Sequence, residues 1–288
     1  MTRTLLSIGH GYAAQALARA LPRGWRIIAT TRDPDKAEAF RAQGHEALLW
    51  PGMQDLSPVL ARATHVLSSV APGPWGDPVL NVEALALREA KHLEWVGYLS
   101  TTGVYGDHGG DWVDESTPLT PTTERGRLRA EAEARWQALG LPVHIFRLAG
   151  IYGPGRGPFA KVRAGTARRI IKPGQVFSRI HVDDIAQVLT ASIAHPNPGA
   201  VYNVCDDDPA PPQDVIAHAA GLLGLPVPPA VPFDEAELSP MASSFYAESK
   251  RVRNDRIKQE LGVVLKYPTY REGLAALLAA EGEKPAED

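Results

Sequence analysis

Two arginines one helical turn apart, Arg125 and Arg129, stand in the run PTTERGRLRAEAE at residues 121–133. A guanidinium stays protonated across the working pH range and offers only donors. The pair could therefore grip a carboxylate, a phosphate or ribose hydroxyls, but could not relay a proton. Arg127, Glu131 and Glu133 interleave with them, an alternation that also suits a solvated helix face. A second stretch, Gly9-His10-Gly11-Tyr12-Ala13-Ala14, has the spacing G-x-G-x-x-A between a β-prone and a helical segment. There the first glycine permits a tight turn, the second lets backbone approach a diphosphate, and the small Ala14 allows close helix–strand packing. The helix N-terminus offers unpaired N–H groups and partial positive charge to the phosphates. This predicts a dinucleotide site with Gly9, Gly11, Tyr12 and Ala13 as contacts.

The second strand closes on Ala29-Thr30-Thr31-Arg32-Asp33. An acidic residue at such a strand end holds the ribose 2′-hydroxyl of NAD(H), whereas an arginine accommodates the 2′-phosphate of NADP(H). Thr31 and Arg32 occupy that place and Asp33 follows one step later, so NADP is expected over NAD. A solvated loop position is the plain alternative for Arg32.

Positioning these groups falls to a chain of alternating strands and helices. Strand-like segments at 4–8, 25–30, 45–50, 64–70, 95–101, 142–150 and 200–205 are separated by helical periodicity at 13–21, 34–44, 56–63, 78–91, 124–140 and 183–194. Such alternation implies an α/β fold with a Rossmann-type doubly wound parallel sheet, because parallel neighbours need crossovers. Beyond Asp206 the pattern turns to isolated helices joined by Pro-rich links such as PVPPAVPF. The expected division is an NADP-binding domain over 1–155, completed by about 178–205, and a smaller substrate lobe from 156–177 and 206–288.

The 288 residues, 44% of them hydrophobic, suffice for a sizeable core. Thirty basic against thirty-three acidic residues give a net charge of −3, which points away from nucleic acid and acidic membrane surfaces and toward a small-molecule substrate. The single cysteine, Cys205, excludes an intramolecular disulfide framework and suits a reducing, cytoplasmic setting. No run of about 18 apolar residues is present, and no spaced His/Asp/Glu cluster predicts a metal. The charged ending, EGEKPAED, reads as disordered.

Further segments carry a resemblance. Ser100-Thr101-Thr102-Gly103-Val104-Tyr105-Gly106 follows the fifth strand, Arg147 to Arg156 (RLAGIYGPGR) follows the sixth, RIHVDDIA opens a later helix at 179–186, and Val201-Tyr202-Asn203-Val204 forms the next strand. In this order, over nearly the whole chain, they resemble the extended and atypical short-chain dehydrogenase/reductases, the superfamily of NAD(P)-dependent sugar-nucleotide epimerases, dehydratases and reductases. The resemblance implies that Thr101 hydrogen-bonds the substrate's reacting oxygen, with Ser100 beside it at the cofactor. A Tyr-x-x-x-Lys pair normally completes the site; placing Glu133 on the acidic residue that follows it puts Arg125 on the tyrosine and Arg129 on the lysine. Another group would then have to handle the proton, and Tyr105 and His108 are the nearest candidates. Arg156 could meet an anion, while Asp183 and Asp184 are expected to cap their helix. Relatives commonly pair through helices beside the site, which leaves a homodimer open. The expectation is an NADP-binding oxidoreductase transferring hydride to or from a small polar substrate, sugar nucleotides included. The alternative is a non-catalytic NADP(H) sensor that has lost the proton relay.

Overall fold

In the computed structural model, which describes residues 2–52 and 55–282, β1 (Thr4–Ile8) is buried along its whole length, as a central parallel strand must be. It passes through the glycine turn into α1 (Tyr12–Ala20), followed by β2 (Arg26–Thr31), α2 (Pro34–Ala42), β3 (Glu46–Leu49), the single-turn α3 (Ser57–Leu60), β4 (His65–Ser68), α4 (Pro78–Glu89) and β5 (Trp95–Thr101). Helices α2 and α4 begin alike. Asp33 and Asp77 each accept from two backbone N–H groups of the first turn, and the proline that follows removes a donor that would otherwise be orphaned. Next come β6 (Trp112–Val113), α5 (Glu124–Gln137), β7 (Val143–Leu148), β8 (Gly150–Tyr152), α6 (Phe159–Arg163), β9 (Arg169–Ile171), β10 (Arg179–His181), α7 (Val182–Ala194) and β11 (Val201–Val204). The chain ends with α8 (Pro212–Leu222), β12 (Ala230–Pro232), α9 (Pro240–Tyr246), β13 (Arg251–Val252), α10 (Asp255–Leu261) and α11 (Tyr270–Gly282).

Seven strands form one parallel sheet in the order β11-β7-β5-β4-β1-β2-β3. The order reverses between β1 and β4, so the connections leaving their C-terminal ends diverge and open a crevice there. Alternate residues of each strand feed opposite faces. Leu5, Trp95 and Phe146 pack with α1 and α7, whereas Leu6, Val96 and Ile145 pack with α3, α4 and α5. A third apolar cluster joins Tyr152, Phe159, Val215, Tyr270 and Leu274, binding α6, α8 and α11 into a smaller lobe. Three further parallel pairs, β10–β8, β12–β9 and β13–β6, tie distant segments together. The predicted strand at 142–150 is two strands, β7 and β8, and the helix expected at 56–63 keeps one turn. Of the charged ending, Glu281 and Gly282 belong to α11, and 283–288 lie outside the described residues.

Burial also sets a pH dependence. His10 and His65 are buried, and desolvation first, with nearby charged or ionisable side chains adding to it, pulls each pKa down to about 4 from 6.5. Between those values the unfolded chain takes up protons that the folded chain refuses, so stability is lost as pH falls from 6.5 toward 4. Each histidine contributes about 1.4 kcal/mol per pH unit across that window. Urea midpoints measured from pH 7 down to 4 should decline, and His65→Phe should make the decline shallower. An unchanged slope in that variant would contradict the assignment.

Candidate functional site

The glycine turn is held from β2. Gly9 N–H donates to Thr30 Oγ1 at 2.8 Å and His10 N–H to Thr30 O at 2.9 Å, which fixes the turn's exit over the crevice. Gly9 lies at φ +76°, and a Cβ there would stand 2.8 Å from Val70 Cγ2. His10 turns inward, its Nδ1 paired with Ser7 Oγ at 2.9 Å and its ring edge-on to Phe40. Helix α1 starts at Gly11 with no side-chain cap and no acid in its first turn. Gly11, Tyr12 and Ala13 thus line a cleft of about 950 Å³, together with Ser69, Ser100, Thr101, Arg125 and Arg129.

At the end of β2, Asp33 is engaged. Its Oδ1 accepts from Asp35 N and Lys36 N, and its own N–H donates to Thr31 Oγ1 at 3.2 Å. Arg32 is exposed and has no partner among the described residues.

At the end of β5, Thr101 Oγ1 accepts from Gly103 N at 3.2 Å, which leaves its O–H free to donate into the cleft. Ser100 lines the cleft too, but its hydroxyl donates to Glu133 Oε1. Glu133 is buried in an ion pair with Arg147 at 2.8 Å, and Arg147 Nη1 donates to the Tyr105 hydroxyl at 2.9 Å. That hydroxyl donates in turn to Asn203 Oδ1 at 2.7 Å. Tyr105 is therefore corrected from proton-transfer candidate to core residue. It is fully buried, outside the cleft wall, and burial pushes its pKa up to about 12. His108 is likewise off the cleft wall, its Nε2 paired with Tyr105 O at 3.1 Å.

Helix α5 resolves the question raised by its arginines. Arg127 and Glu131 are exposed and off the cleft wall, whereas Arg125, also exposed, and Arg129, buried, both border the cleft. Arg129 is only 8% exposed; its Nη1 donates to Leu99 O (2.9 Å), Tyr98 Oη (3.0 Å) and Val70 O (3.4 Å). Arg125 lies 5.7 Å from the Phe245 ring centroid, and desolvation together with the charge of Arg129 lowers its pKa, from a value so high that it stays a cation. Across the cleft, Tyr12 Oη donates to Pro154 O at 3.0 Å and the Arg156 guanidinium sits 5.8 Å from the Tyr12 ring, so the 153–157 loop overhangs the glycine turn.

The expected cap at Asp183 and Asp184 is also corrected. His181 Nδ1 accepts from Asp183 N at 3.1 Å, while Asp184 accepts from Lys266 N and Tyr267 N and so tethers the segment before α11. Phe177, Phe245 and Tyr246, which share the cleft wall with Lys250, escape the motif-based reading of the sequence. A signal exists all the same: Tyr246 to Lys250 carries a Tyr-x-x-x-Lys spacing, outside α5. Residues 248–252 are stitched to 106–113, with Lys250 Nζ on Gly106 O at 2.6 Å, Ser249 O accepting from His108 N and Gly110 N, and β13 paired with β6. Among the described residues no group of three His, Cys, Asp or Glu side chains could hold a metal, and no helix is long and apolar enough to cross a membrane.

This strand order, with a glycine turn at its switch point opening on a cleft, defines a Rossmann-type doubly wound fold. No family model matches the chain. Protein YeeZ of Escherichia coli (strain K12) is 30% identical over 276 residues, covering 91% of this chain and 95% of that one. The structure of a functionally unknown conserved protein from Silicibacter pomeroyi DSS matches with a TM-score of 0.92 and 65% identity over 98% of this chain and 100% of the other. UDP-glucuronic acid 4-epimerase from Bacillus cereus, solved in complex with NAD, shares the fold at a TM-score of 0.74 and 16% identity, over 95% and 96% of the two chains. A putative NAD-dependent epimerase/dehydratase from Methylobacillus flagellatus matches with a TM-score of 0.71 and 28% identity over 98% and 99% of the two chains. The chain belongs with the epimerase/dehydratase-like members of the extended short-chain dehydrogenase/reductase superfamily.

Proposed function

We propose that the protein binds NADP(H) across the β1–β4 crevice and transfers hydride between the nicotinamide and a carbinol or carbonyl carbon of a small polar substrate. The carrying observation is the bare N-terminus of α1, whose amides open into the cleft with neither cap nor acid to satisfy them. The surroundings fit the same group: Ser69 Oγ is buried on the cleft wall without a partner. When bound, the cofactor supplies or takes the hydride. The protein's own share is to seat the diphosphate on Gly11, Tyr12 and Ala13, and to orient the substrate oxygen with the free Thr101 hydroxyl. Engagement of Asp33 and the unpartnered guanidinium of Arg32 favour the 2′-phosphate.

Calorimetric titration tests both levels. NADPH should bind about tenfold tighter than NADH, equivalent to about 1.4 kcal/mol from one guanidinium–phosphate contact, and Arg32→Ala should erase the difference. Tighter NADH binding would end the NADP assignment, and heat from neither coenzyme would end the reading itself. The sensor reading has one observation in its favour, the latching of Arg129 Nη1 onto backbone carbonyls and Tyr98. NADPH oxidation that disappears in Thr101→Ala supports the enzyme, whereas binding without turnover over a panel of carbonyl compounds and sugar nucleotides supports the sensor.

A further inference from the structure

Arg125 and Arg129 lack negative charge around them. Among the described residues no carboxylate lies within 4.0 Å of either guanidinium. Of the two acids on the cleft wall, Glu248 is taken by Lys250 at 2.8 Å and Glu124 forms no ion pair. Arg129 is nine-tenths buried, its Nε–H has no partner, and Nη2 has none either. Burying the Arg129 guanidinium without a counter-charge is unfavourable, and the charge of Arg125, exposed on the same helix, adds repulsion. On the reading proposed above, the α1 amides would meet the diphosphate and the nicotinamide ribose carries no charge, so the dinucleotide would not supply the missing negative charge. The counter-charge has to arrive with the substrate.

We propose that Arg125 and Arg129 seat a carboxylate carried by the substrate beside its reacting carbon, so that the hydride acceptor is an oxo-carboxylate. This rests on the reading of the cleft as an NADP(H) oxidoreductase. The planar guanidinium fork matches a carboxylate by paired, charge-assisted hydrogen bonds. Leu99, Leu148 and Ile151 line the same cleft, where Arg129 is buried and Arg125 stands exposed. The bound cofactor would supply the hydride, which would form a C–H bond at the carbonyl carbon while the C=O π pair moves to oxygen. The Thr101 hydroxyl and the guanidinium charge hold that oxyanion until water protonates it, releasing hydroxide to the bulk. No acid of the protein is needed.

The test uses the full chain with NADPH, a series of 2-oxo acids with their methyl esters, and oxalate and inorganic phosphate as non-reacting probes. Acids should exceed their esters in kcat/KM by about 100-fold, and oxalate should bind the NADPH-loaded protein. Arg125→Gln should weaken oxalate by about tenfold while moving NADPH affinity less than about twofold. Arg125 carries the substitution because Arg129 also holds backbone carbonyls; Arg125→Lys, a charge without the fork, should recover only part of the loss. With NADPH still bound, any one of three results overturns the carboxylate seat: esters reduced as well as acids, oxalate indifferent to Arg125, or phosphate bound in preference to oxalate. Failure of NADPH itself to bind would instead remove the reading beneath it.

Discussion

Glu133→Ala should lower the unfolding free energy by about 3–5 kcal/mol, the cost of stripping the partner from a buried cation. Arg147 and Glu133 expose only 6% and 4% of their side chains, so water cannot replace the lost carboxylate. Ser100 loses its acceptor in the same step. The double variant Glu133→Leu with Arg147→Met should return to within about 2 kcal/mol of the parent, because a well-packed apolar pair substitutes for a buried ion pair far better than half of one does. Urea unfolding by linear extrapolation decides the matter. A loss below about 1 kcal/mol in Glu133→Ala would show that the pair is not the strut described.

Gly9→Val should weaken NADPH binding by at least about 100-fold, or about 2.8 kcal/mol, while far-ultraviolet circular dichroism remains native. Two causes add. The backbone at Gly9 is left-handed, where a β-branched residue is strained, and the new Cβ would collide with Val70 Cγ2 at 2.8 Å. Relief of either displaces the turn that aims α1 at the cleft. Gly44 is the control, since it has φ +83° but no heavy atom within 4 Å of the place a Cβ would take. Gly44→Ala therefore carries the strain without the collision and should leave NADPH affinity intact. Equal losses in the two variants would trace the effect to general strain.

The parts legible in the sequence are those whose information is local. The glycine turn is set by six consecutive residues, and the seven sheet strands announce themselves through apolar runs separated by helical periods. Strands of two or three residues, such as β6, β13 and β12, hold too few alternations to register, although they tie segments far apart in the chain. Tyr105 eludes sequence reasoning for a related reason. It stands four positions after Thr101, but the 3₁₀ turn between them swings its ring beneath the sheet toward Asn203, which spacing alone does not reveal. Asp184 reads as a cap because caps are local, and its true partners lie 82 and 83 residues away. The two arginines of α5 are ambiguous between solvent and cleft because the charge alternation is the same in both settings; only the packing of the helix against β5 separates Arg129 from Arg127.

The stitching of 248–252 onto 106–113 bears on how a ligand gets in. Backbone bonds, a lysine and a short strand pair fasten residues 248–252, three of which line the cleft, to the 106–113 segment outside it, so moving that stretch of wall would break them together. That stretch of wall is expected to stay in place as a ligand enters. Selection then falls on whatever can slide past it, before any chemistry begins.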